Sequence, residues 1–215
     1  MESLEEELAA ARAIDVDEVA AAIESVGFEC TRCGACCTAD GDQPHTATVF
    51  PDEIRTLQDA TDRDWEDVAR PMPFGLDETG TGETFEWALQ TDACGDCVFY
   101  EERDGQGACT VHADRPLICW TYPFSLAVGD ASETPGSVVD RVGDLQIHEC
   151  EGVGRDIAPD DARDLAETLK RRAIVELQEA IAVRDSYESV AADGVVVHAS
   201  EGAKRADGTP VRRDV

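Results

Sequence analysis

At 215 residues and 23.2 kDa the chain has the length of one domain with a tail, and an apolar fraction of 42% suffices for a core. It carries 47 Asp and Glu against 18 Lys and Arg, a formal charge of −29 spread along the whole length. That balance argues against nucleic acid or anionic lipid as partners, since both need basic patches, and it points to a cytoplasmic protein of a salt-loving organism, where screening relieves the self-repulsion.

The N-terminus Met1-Glu2-Ser3-Leu4-Glu5-Glu6-Glu7 is acidic where a secretory signal is basic, and no apolar run reaches membrane-spanning length. Ser3-Leu4-Glu5-Glu6 has the form of a capping box, which predicts a first helix with Leu4, Leu8 and Ala11 on one face. Asp15 re-caps a second helix bearing Val19, Ala22, Ile23 and Val26, and Gly27 ends it. Pro51 opens a third, facing inward with Ile54 and Leu57, which Trp65 and Val68 continue or repeat before Pro71 and Pro73 stop it. In the middle, Phe85, Trp87 and Leu89 alternate with polar residues as in a half-buried strand. Cys97 to Tyr100 and Ala108 to Val111 flank Asp104-Gly105 as a hairpin, with Cys97 starting the first strand. Val138-Val139 and Leu145 to Ile147 are two more short strands around Gly143-Asp144. From about Pro159 to Val190 the pattern is helical, Leu165, Leu169, Ala173, Leu177 and Ile181 forming its stripe, and from Asp193 the chain reads as a loose tail.

Chemistry resides in the cysteines. Cys30-Thr31-Arg32-Cys33-Gly34-Ala35-Cys36-Cys37 puts four thiols in eight residues, and Cys97, Cys109, Cys119 and Cys150 follow. Thiolates are the preferred protein ligands of zinc, iron and iron–sulfur clusters, and two-residue gaps let Cys30, Cys33 and Cys36 converge on one centre. The side chain of Cys37 diverges from that of its neighbour and suits a second centre, or the other side of a cluster. Eight thiolates permit two four-thiolate zinc sites or one or two iron–sulfur clusters; the three-cysteine run with a distant fourth favours the cluster. A reducing cytosol favours ligands over disulfides, and nine is an odd number.

Around these, Cys94-Gly95-Asp96-Cys97 reads as a redox dithiol in isolation, and beside the cluster as a ligand, Cys97, next to a free or alternative thiol, Cys94. Arg115 either caps a turn before Pro116 or compensates thiolate charge, and Trp120, Tyr122 and Phe124 form a dry wall. His112 and His148 lie within three residues of a cysteine, and read as ordinary histidines ahead of ligands. No phosphate loop, zinc-protease helix or serine-hydrolase elbow is present.

The run Cys30–Cys37, then Cys97-Val98-Phe99, Cys109 with Arg115-Pro116, Cys119, Tyr122-Pro123-Phe124 and Cys150-Glu151-Gly152-Val153-Gly154, resembles the YkgJ-like cysteine-cluster family over residues 28–155. The resemblance implies a zinc- or iron-chelating domain. It assigns Cys30, Cys33, Cys36, Cys37, Cys97, Cys109, Cys119 and Cys150 as ligands and leaves Cys94 without a counterpart. Flagellin lysine methylases carry a similar cluster, so a protein-modifying enzyme stands as an alternative, beside a structural zinc module serving a protein partner. The expected fold is α+β in a small single domain, with an N-terminal helical segment (1–27), a cysteine-cluster centre with short strands (28–155), a long helix packed on it (156–192) and a flexible tail (193–215).

Overall fold

Ser3 starts the first helix, α1 (Leu4–Ala13), with the reciprocal bonds of a capping box: its hydroxyl accepts from Glu6 N–H at 3.2 Å, and its own N–H donates to the Glu6 carboxylate at 2.8 Å. Asp15 caps α2 (Val16–Val26) through its carboxylate alone, which accepts from Asp17 and Glu18 N–H. In this computed structural model, which describes residues 3–41, 43–129, 138–190 and 194–211, there follow β1 (Thr48–Val49), α3 (Pro51–Thr61), the single turn α4 (Trp65–Val68) and β2 (Ala69–Pro71). Next come β3 (Gly82–Thr84), β4 (Trp87–Leu89), β5 (Tyr100–Arg103), β6 (Gln106–Cys109) and, after a 3-10 turn, α5 (Leu117–Thr121). The chain continues through β7 (Phe124–Leu126), β8 (Val138–Val142), β9 (Leu145–His148), the long α6 (Pro159–Ser186), β10 (Val195–Ala199) and β11 (Gly202–Arg205). The fold is α+β, as expected.

The chain divides into two compact units, and the division falls inside the stretch 28–155 rather than at its ends. The first unit comprises Met1–Cys36 and Leu117–Gln178, the second Cys37–Pro116 and Glu179–Val215. In the first unit the antiparallel sheet β7-β9-β8 packs with α2 and α6 around Val19, Ile23, Phe124, Leu145, Ile147 and Leu169. The face that α6 buries is Ala162, Ala166, Leu169, Arg172 and Ala173; Leu177 and Ile181 of the anticipated stripe are only half-buried. Alanines at these positions let the helix approach its neighbours closely, so small residues do the packing that a count of leucines assigns elsewhere.

In the second unit β4 is the middle strand of β1-β4-β2, all antiparallel, and all three of its residues are buried. A strand covered on both faces need not alternate, which explains why Trp87 and Leu89 belong to it while Phe85 lies outside, half exposed. Trp87 meets Trp65 edge-to-face at 5.2 Å. The hairpin β5-β6 turns on Asp104 and Gly105, both with positive φ (54° and 76°), as a two-residue turn of primed type requires. Its first strand begins at Tyr100, three residues later than expected, and Cys97 stands before it in a tight turn closed by Tyr100 N–H to Cys97 C=O at 2.9 Å.

The loose tail expected from residue 193 is corrected for residues 194–211. There β10 pairs in parallel with β3 and antiparallel with β11, burying Val196, Val197, His198 and Ala199. Its partner β3 lies more than a hundred residues earlier, so no local pattern announces the pairing.

Candidate metal centre

In the first unit, two glycines bring the cysteine run against the segment after β9. Gly27 has φ +73°, and a Cβ there would stand 2.2 Å from the Arg155 carbonyl oxygen; one at Gly152 would stand 2.4 Å from that of Glu29. Their absence of side chains lets Phe28 bridge to Val153, with Glu29 N–H on Gly152 C=O at 3.1 Å and Gly154 N–H on Gly27 C=O at 3.0 Å. Thr31 then donates to the Glu151 carboxylate at 2.5 Å. This ribbon carries Cys30 toward Cys150.

The electrostatics report the result. Burial pushes the Cys150 thiol up, the Gly152 N–H on its Sγ at 3.4 Å pulls against that, and the neighbouring thiols of Cys33, Cys36 and Cys30 raise it further. Tyr122 is pushed up to about 12 by burial, then by Cys150, Cys36, Glu149 and Cys33, so its phenol stays neutral and donates to the Glu149 carbonyl at 2.5 Å. Cys30, Cys33 and Cys36 are exposed and Cys150 is half-buried. Behind Tyr122 its ring stacks on His148 (6.3 Å), whose Nε2 meets Ser125 Oγ at 2.9 Å; Ser125 in turn donates to Gln146 at 3.1 Å. Burial, then Arg172, lowers the His148 pKa. The buried Arg172 donates to Thr121 at 3.0 Å and pairs with Glu176 at 2.7 Å. Of the anticipated aromatic wall, Tyr122 stands beside the thiols, Phe124 lies in the core and Trp120 is 42% exposed. Cys119 sits half-buried on α5.

The second unit holds the other cysteines. Cys97 N–H donates to the Cys37 carbonyl at 2.8 Å, and Cys109 lies directly across the hairpin from Tyr100. Cys97 is buried, Cys37 and Cys109 are half-buried, and Cys94 is exposed in a turn where Asp92 accepts from Cys94 and Asp96 N–H. Arg115 donates to the His112 carbonyl at 3.1 Å, the turn-capping contact of its two expected roles. One residue escapes the sequence reading: His45, 9% exposed, donates its backbone N–H to Gly95 C=O at 2.7 Å. Burial and then Arg70 lower its pKa to about 4 against an opposing pull from Asp96, so the ring is neutral. No spacing marks this histidine; its burial alone reveals it.

All nine cysteines are thiols outside any disulfide. Among the described residues no three Cys, His, Asp or Glu side chains stand in coordination geometry, and none of the helices is long and apolar enough to cross a membrane. The donor set of the first unit nonetheless fits a thiophilic metal: three sulfurs on one short loop act on the thiol of Cys150, whose own sulfur accepts an amide N–H.

A family model designated CxxCxxCC, described as a "putative zinc- or iron-chelating domain", matches residues 29–151. No curated protein and no solved structure matches the chain. With more than half of its length inside that match, the chain belongs to the CxxCxxCC family.

Proposed function

We propose that this member of the CxxCxxCC family is an iron-binding protein whose first unit holds an iron–sulfur cluster on Cys30, Cys33, Cys36 and Cys150. One observation carries the reading: the backbone bridge of Phe28 to Val153, with Glu29 N–H on Gly152 C=O, brings Cys150, a distant fourth donor, to the loop of Cys30, Cys33 and Cys36, whose thiols help to raise its pKa. When bound, the cluster supplies a one-electron carrier. The protein's own part is to shape its surroundings. Gly152 N–H takes up sulfur charge at Cys150, the neutral Tyr122 phenol walls one side, and the carboxylates of Glu149 and Glu151 keep the rim anionic. Three exposed ligands leave the centre at the surface, where a protein partner can exchange electrons with it or be modified next to it. Nine reduced thiols suit a reducing cytoplasm.

The test is iron and acid-labile sulfide analysis of protein purified without oxygen in high salt, with the visible spectrum of the same sample. Iron with matching sulfide, lost together in Cys33→Ser and Cys150→Ser, is the expected result. Zinc without sulfide refutes the cluster and identifies a structural zinc module instead.

A further inference from the structure

We infer that the second unit carries a metal site of its own, in which the imidazole of His45 joins the thiolates of Cys37, Cys97 and Cys109 around one zinc-type divalent ion. The inference rests on the reading that the cysteines of this chain hold metal, and it adds a nitrogen ligand outside the cysteine pattern. The backbone does the gathering. Cys97 is bonded through its N–H to Cys37 and through its C=O to Tyr100, and Tyr100 is the cross-strand partner of Cys109. The segment carrying Cys37 then folds down on the turn before Cys97. Ala39 N–H bonds the Asp96 carboxylate at 2.8 Å, His45 N–H bonds Gly95, and a Cβ on Gly95 would stand 3.2 Å from the Ala39 Cβ and 3.3 Å from the Pro44 Cα. Cys37 and His45 thus share one strip of chain pressed on the turn that leads to Cys97, and Cys109 stands on the hairpin strand that follows.

The His45 ring supplies the independent sign. Its Nε2 is fully enclosed and among the described residues has no hydrogen-bond partner, a costly state for a polar atom, and one that a metal ion or an ordered water relieves. The half-buried Arg70 guanidinium, which donates to the His45 carbonyl at 3.0 Å, balances the net negative charge that three thiolates leave on a divalent ion. Three sulfurs and one nitrogen form a closed tetrahedral set of the zinc type. Among the described residues the four donors do not stand in coordination geometry, so metal entry must draw their side chains together.

The experiment is titration of Co²⁺ into full-length, metal-free, reduced protein in high salt, by equilibrium dialysis and visible absorption. Wild type, His45→Gln, His45→Cys and Cys150→Ser are compared. The expected result is two ions in wild type and one in His45→Gln. His45→Cys binds two, with ligand-field bands moved to longer wavelength as sulfur replaces nitrogen. Cys150→Ser loses the other ion and keeps the His45-dependent one. A single ion lost in Cys150→Ser and kept in His45→Gln overturns this inference and leaves the first-unit centre standing; the opposite dependence overturns that centre and leaves this one. Two ions in His45→Gln with an unchanged spectrum show that water serves the buried nitrogen. Should His45→Gln fail to fold, unshifted bands in His45→Cys refute the imidazole ligand equally well. No bound ion in wild type ends both readings.

Discussion

Lowering the pH is the most direct perturbation of the first-unit centre, because a thiol must lose its proton to become a ligand. An ordinary thiol titrates near pH 8.5 (roughly). Cys150 lies above the ordinary range, held there by burial and by the three thiols around it. An entering ion displaces one proton from each protonated thiol that it takes as a ligand. The affinity then falls by up to about four powers of ten, about 5.4 kcal/mol, for each pH unit lost. Metal-free protein behaves oppositely. A folded-state pKa raised above the unfolded one contributes stability that is full below the ordinary thiol value and lost as pH rises through the raised one. The assay is chelator competition at half-unit steps from pH 6.5 to 8 (about) at constant ionic strength, paired with calorimetry in two buffers to count released protons. Cys150→Ser, which loses this ion, should lose its whole share of the released protons, about four. A wild-type slope of about one or less refutes the idea that four thiols hold the ion.

Leu169, 1% exposed among the alanines of α6, cannot be replaced by collapse of its neighbours; Leu169→Ala should cost about 3 kcal/mol in urea unfolding of the metal-loaded protein. Glu201, held down to about 2 by Arg55 and then Lys204, contributes stability that is present above the ordinary carboxylate range and lost as pH falls from about 4.5 through about 2. Its side chain is a third exposed, so Glu201→Gln should lower stability at neutral pH by less than about 1 kcal/mol, and an acid-unfolding profile identical to wild type would dismiss the pair. Cys94→Ser should leave metal content and melting temperature unchanged, and loss of an ion from that variant would make the exposed thiol a ligand. With a net charge of −29, the melting temperature should rise between low and molar KCl; a flat response would remove the high-salt assignment.

Elements governed by near neighbours were readable from the residues. Ser3 and Asp15 cap where they are expected to, Pro51 opens α3, Gly27 closes α2 with positive φ, and Asp104-Gly105 turns the hairpin. Each depends on atoms within a few residues, so a short motif contains the whole cause. Pairings that depend on distant chain were not readable: β10 on β3, the doubly covered β4, and the alanine face of α6. His45 belongs with these, since nothing in its neighbourhood distinguishes a buried imidazole from an exposed one.

The centre divides along the same line. Residue type alone supplied the donors, because thiolate chemistry is a property of the side chain and a two-residue gap is a property of the local backbone. Which thiols become neighbours is settled only by register across the folded chain. Cys36 and Cys37 are adjacent in sequence yet fall in different units, one beside Cys150 and the other bonded through its carbonyl to Cys97. Two glycines that admit close backbone contact place Cys150 near Cys30, and their effect appears only when both strands are present.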